Sequence, residues 1–144
     1  MTSNDKTKYS IKLNNLKDNE KKSLGLLLHT RIQEIENKKD NLDFNKLEDP
    51  EIYLKKLSDL YQKSSSFLEP KTPVKEALFR LFIFNGNKPL TLKQINKNLS
   101  ENWEMSQFPR DISIEKLNSV IKNISDYYIY PYGRKFNKSS LPFN

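Results

Sequence analysis

Two groups of side chains in the C-terminal half have the types and spacing to hold a polyanion. The first is Tyr130-Pro131-Tyr132-Gly133-Arg134-Lys135, with Lys138 behind it. Glycine at its turn permits a positive φ, and alternating tyrosines suit a strand with one buried face. Arg134 and Lys135 are of the type that meets phosphates or enters a narrow minor groove; the same composition is also that of a solvated turn. The second group is the outward side of the segment 114–124, which offers Glu115, Lys116, Asn118, Ser119, Lys122 and Asn123, with Glu115 and Asp126 partly repelling phosphate. Lysines there suit phosphates and an asparagine can read adenine, but no arginine is present for bidentate contact with guanine. Tyr127, Tyr128, Tyr130 and Tyr132 have the make-up of a base-stacking platform, although period-2 packing explains them more simply. Trp103 with Phe108 is either a partner pocket or, more simply, an anchor for the connection that carries them.

Other chemistries are poorly served. The chain has no cysteine, one histidine and three glycines, and no two glycines are spaced to wrap a phosphate. His29 sits among leucines without carboxylates at ligand spacing, so a helix-surface or interface position is expected rather than a metal site. Glu34 with Glu36, and Glu48, Asp49 and Glu51, read as solvated charge clusters with no apolar pocket to raise a pKa. No catalytic residue, metal, cofactor or small-molecule substrate is expected.

Charge is unevenly placed. Residues 1–70 carry 13 Lys/Arg against 12 Asp/Glu, a net +1, whereas residues 71–144 carry 12 against 6, a net +6. The positive field therefore belongs to the half that holds both basic groups. A hydrophobic content of 35% with 11% aromatics is enough for a core, which excludes wholesale disorder. Met1–Lys6 lacks the apolar core of a secretory signal, and the longest apolar clusters are too short for a bilayer. No membrane association and a cytoplasmic location are expected.

The elements that must position these groups can be read from spacing and caps. Residues 1–14 are polar and predicted to be a frayed tail. Leu24, Leu27, Leu28, Ile32 and Ile35 recur at helical spacing and predict a helix over about 16–37. A second helix opens at Asp49-Pro50-Glu51 and carries Tyr53, Leu57, Leu60, Tyr61 and Phe67 along one side. Thr72 is placed to cap a third helix with Pro73 at its first position. That helix is apolar from Val74 to Phe84, is expected to sit centrally, and stops at Asn85-Gly86. Thr91 and Gln94 form a capping box for a fourth helix, and Ser113 caps a fifth, with Ile112 and Leu117 as a hydrophobic staple.

In that order the chain resembles the winged helix-turn-helix superfamily over about residues 72–138. The carriers are KEALFRLF at 75–82, KPLTLKQI at 88–95, ISIEKLNSVI at 112–121 and YYIYPYGRKF at 127–136. The resemblance implies a mainly α domain of three helices plus a small β-hairpin wing, preceded here by two additional N-terminal helices. It places the 114–124 helix in the major groove and the wing on the backbone or minor groove. Two features depart from it: a connection of roughly a dozen residues before the last helix, against 3–4 in a tight helix-turn-helix, and the missing arginine.

The expected organisation is thus a tail at 1–14, a helical pair at 15–70, a winged domain at 71–138 and a C-terminal tail at 139–144. The expected function is backbone-dominated binding of double-stranded DNA by a transcription-related regulator, through Lys116, Asn118, Ser119, Lys122, Asn123, Arg134, Lys135 and Lys138. The alternative is a non-enzymatic adaptor that uses the winged fold as a platform. In it, Leu24, Leu27 and Leu28 would meet a protein partner or a second copy through the N-terminal helices.

Overall fold

A computed structural model describes residues 6–38, 44–64, 67–69, 71–103 and 111–133. Among these, the protein is mainly helical, with five α-helices and one small antiparallel sheet. The order is β1 (Lys8–Ile11), α1 (Asp18–Glu36), α2 (Pro50–Gln62), α3 (Val74–Phe84), β2 (Leu90–Thr91), α4 (Leu92–Trp103), α5 (Ile114–Ile121) and β3 (Ile129–Pro131). Single 3-10 turns at Phe44–Lys46 and Ser125–Tyr127 precede α2 and β3. No described helix is long and apolar enough to cross a membrane.

Local chemistry accounts for the helix ends. Asp49 Oδ1 accepts from the Glu51 amide at 3.1 Å with Pro50 opening α2, a cap of about 1 kcal/mol. The Thr91–Gln94 box is reciprocal, at 2.9 and 3.2 Å. Ser113 Oγ accepts from the Lys116 amide at 3.2 Å and starts α5. α3 ends in a Schellman pattern: Gly86 stands at φ +77°, with its amide on the Ile83 carbonyl and the Asn87 amide on Phe82. Its start differs by one residue from expectation. Pro73 is the N-cap, and Thr72 is buried with its amide on the Glu69 carbonyl.

α1 lies against α2 and α2 against α3. From Glu76 to Phe79 and from Leu81 to Ile83 every side chain of α3 is buried, so this helix is the centre of the core. The same apolar cluster continues through Leu24, Leu28 and Ile32 of α1, Leu57 of α2, Ile95 and Leu99 of α4, and Leu117 of α5. α4 packs on α5.

The first described residues are not a tail. Lys8–Ile11 forms the middle strand of the sheet, in the order β2-β1-β3, antiparallel to both neighbours. The reason is an alternation from Lys6 to Leu13. Thr7, Tyr9, Ile11 and Leu13 occupy one parity and Lys6, Lys8, Ser10 and Lys12 the other, so Tyr9 and Ile11 enter the core beside Ile129. The expected hairpin wing is altered accordingly: the described partner of β3 is β1. Residues 134–144, which hold the rest of that ribbon and the expected C-terminal tail, lie outside the described residues, as do Met105 and Phe108.

Three residues before β2 begins, a side chain extends its pairing with β1. Asn87, at φ +63°, accepts from the Ile11 amide at 2.8 Å and donates to the Ile11 carbonyl at 2.9 Å. One amide thus satisfies both backbone groups of Ile11 on the edge that β2 leaves open.

Candidate functional site

α5 and the turn after it present Lys116 and Lys122 to solvent beside the equally exposed Glu115 and Asp126. Leu117 and Ile121 of α5, followed by Ile124, are buried, and Lys116, Ser119, Lys122 and Asn123 are consequently exposed on the other side. Asn118 is half-buried at the flank. The Asn123 side chain donates to the Ser119 carbonyl at 3.4 Å, so its amide lies back along the helix. The entry to α5 is fixed twice: Asp111 Oδ1 accepts from the Ser113 amide at 3.1 Å, and Asn96 of α4 donates to the Ile112 carbonyl at 2.7 Å. The bond to Ser113 holds the Asp111 carboxyl below its ordinary pKa. Lys93 and Lys97, one turn apart on α4, are exposed as well. Of the five expected residues, Lys116, Asn118 and Ser119 stand on α5 and Lys122 and Asn123 in the turn after Ile121, where the helix ends short of the expected 124, while Arg134, Lys135 and Lys138 lie outside the described residues.

Below β3 a buried ionic network joins three elements. Arg31 of α1 grips Glu76 of α3 with both arms of its fork, Nε to Oε2 at 2.8 Å and Nη2 to Oε1 at 2.7 Å. Arg80, one turn along α3, donates to the same Oε2 at 2.8 Å. The Tyr127 hydroxyl donates to Glu76 Oε1 at 3.2 Å. Arg31 also lies over the Phe79 ring, 5.0 Å from its centroid. Burial alone raises the Glu76 pKa, but the bonds and charges of Arg31 and Arg80 outweigh it and bring it to about 2. Burial pushes the nearby Tyr61 phenol up to about 12. Tyr127 leads directly into β3, so the network sets where the ribbon leaves the core.

A shallow pocket of about 320 Å³ opens beside this network. Its cations, Arg31 and Arg80, face Glu34 and Glu69 across the lining and are already engaged by Glu76. The arrangement is a structural tie rather than a seat for an anionic substrate. Among the described residues no three His, Asp or Glu side chains stand together as a metal site. His29 is half-buried, its ring tilted against Tyr53 with centroids 5.2 Å apart, and its Nδ1 is buried without a hydrogen-bond partner.

The leucines expected at a partner interface are placed otherwise. Leu24 and Leu28 are 0% exposed, sealed inside the molecule's own core, and Leu27 is half-buried against it. The three-and-four spacing is satisfied within the core, where α1 lies against α2, which leaves Leu24 and Leu28 no surface for a partner. Trp103 is buried at the end of α4 with its indole donating to the Leu68 carbonyl at 3.3 Å, an anchor rather than a pocket wall.

Sequence reading missed β1, the Asn87 clip and the Glu76 network. The last had a signal: Glu76 and Arg80 are charges four residues apart inside an otherwise apolar helix, a spacing that puts them on one face. Compared with models of protein families, with curated proteins and with solved structures, the chain matches none.

Proposed function

We propose that the chain is a winged-helix protein that binds duplex DNA through its backbone, in a transcription-related regulatory role. In this reading α3, β2, α4, α5 and β3 are the winged module, and the strand between β2 and β3 comes from the N-terminus. The observation that carries it is the α5 face. Lys116 and Ser119 of α5, with Lys122 and Asn123 in the turn that follows it, are exposed opposite a buried side in the half of the chain with net +6, although the exposed Glu115 and Asp126 offset the two lysines locally. Lysines act as point charges on phosphates, and without an arginine the face has little means of reading guanine. Binding is therefore tolerant of sequence.

The test is titration of a labelled duplex with the full chain across salt concentrations. Log affinity should fall linearly with log salt, and K116Q/K122Q should reduce the slope by about 0.9 for each phosphate left without its lysine. The double variant should weaken unrelated duplex sequences alike. No binding to any duplex at low salt would overturn the reading.

A further inference from the structure

The ladder between β1 and β3 puts basic and aromatic side chains on one face of the sheet. The Tyr132 amide donates to the Lys8 carbonyl at 2.8 Å, Ser10 pairs with Tyr130, and the Lys12 amide donates to the Tyr128 carbonyl at 2.7 Å. Residues directly opposite in an antiparallel pair share a face. Lys8, Ser10 and Lys12 therefore stand with Tyr132, Tyr130 and Tyr128, while Tyr9, Ile11 and Ile129 point into the core. The Lys12 ammonium lies 5.7 Å from the Tyr130 ring centroid, as that shared side requires.

The two tyrosines toward the ribbon tip are unusually open. Tyr130 is 39% and Tyr132 58% exposed, although burial is where an aromatic ring gains most. They wall a groove of about 680 Å³ with Ser10 at its floor and Lys12 and Leu13 along its side. The segment along the groove is basic, with four lysines and no carboxylate from Lys6 to Lys17; Lys12 lines the groove itself, and Lys8 stands opposite Tyr132 on the same face of the sheet. Among the described residues Glu51, at the α2 end, is the one carboxylate in the groove lining.

We propose that this groove binds single-stranded nucleic acid. Tyr130 and Tyr132 stack on successive bases, which every base permits through its π-face, and Lys8 and Lys12 take the flanking phosphates. Alternate residues of a strand lie on one side, so the two rings form a two-base platform without any hydrogen-bond reading of sequence. Glu51 limits the path at the α2 end by repelling the backbone. The inference does not rest on the duplex reading, since it uses a different face and different residues.

The experiment is fluorescence anisotropy of the full chain with a labelled oligothymidylate and, separately, with a duplex of the same length. Y130A and Y132A should each weaken oligothymidylate binding about tenfold, whereas Y130F and Y132F keep it within about twofold, because phenylalanine retains the stacking face. K8Q/K12Q should lower the salt slope for the single strand by about 0.7 for each phosphate left without its lysine. K116Q/K122Q should leave single-strand binding unchanged, which separates this site from the α5 face. Far-ultraviolet circular dichroism confirms that each variant is folded, and the lysine pair tests the site independently of the tyrosines. Oligothymidylate left unbound at low salt, or bound equally by folded Y130A/Y132A and wild type, overturns the proposal. So does an equal weakening of duplex and single strand in the tyrosine variants, which would assign the ribbon to duplex contact instead.

Discussion

Glu76 is a carboxylate buried in the central helix, and it is stable there only because two guanidinium groups and a phenol complete its hydrogen bonding. Breaking a buried ion pair by removing one partner leaves the other charge uncompensated, at about 3–5 kcal/mol. E76Q keeps the volume and removes the charge, so Arg31 and Arg80 are left facing each other over a neutral amide. The expected loss is about 3 kcal/mol, a fall in Tm of roughly 10 °C for a chain of this length. The pH dependence has a definite sign. The folded pKa is about 2 and the ordinary value 4.5, so the stabilisation is complete above pH 4.5 and is lost as pH falls toward 2. Urea unfolding of wild type and E76Q at a series of pH values checks this. The two stabilities should converge on acidification, and a gap that stays constant down to pH 2 would show that the charge is not what holds the network.

At the scale of elements, β1 shows what sequence reading reached and where it stopped. The helices were legible because their caps are local: Asp49, Thr91 with Gln94, and Ser113 each act within three residues of their partners. The exposed side of α5 was legible for the same reason, since Leu117 and Ile121 fix its inner face. β1 depends on pairing with segments some eighty and one hundred and twenty residues away, which leaves only a short alternation in the sequence. The lysines that break its hydrophobicity are the ones on its outer face. Leu24 and Leu28 were legible as a stripe but not as core, because periodicity cannot say whether a stripe meets its own chain or another. The Asn87 clip gives the strand a specific test. N87G keeps the positive φ available and removes only the side-chain amide, so it should cost about 1–2 kcal/mol for the two bonds. N87A should cost more, since alanine also disfavours that backbone. Amide hydrogen exchange should accelerate at Ile11 in both variants, and an unchanged Ile11 rate in folded N87G would show that the clip is dispensable.

At the scale of the whole molecule, the N-terminal and C-terminal elements are interlocked. β2 and β3 pair with β1 and not with each other, and α3 is covered on one side by α2. Arg31 of α1 supplies two of the bonds to Glu76, and the buried apolar side chains form one cluster from Tyr9 to Ile129. A fragment of residues 71–144 would lose the middle strand, expose the α3 surface that α2 covers, and leave Glu76 with Arg80 and Tyr127 alone. Buried apolar area is the main source of stability, and unpaired strand edges add a route to aggregation. The full chain is therefore expected to unfold in one step. Fluorescence of Trp103, which reports α4, and far-ultraviolet circular dichroism, to which α1 and α2 contribute strongly, should give coincident transitions in urea. Fragment 71–144 should bind a hydrophobic dye and show no cooperative transition. A fragment that unfolds cooperatively with the near-ultraviolet signal of its native tyrosines would mean that the C-terminal portion stands alone. In that event α1, α2 and β1 would be an addition to it, and variants of Arg31 should leave the proposed duplex binding untouched. If the coupling holds, weakening Arg31 should loosen the start of β3 through Tyr127 and so reduce the proposed nucleic-acid binding at a surface that Arg31 never touches.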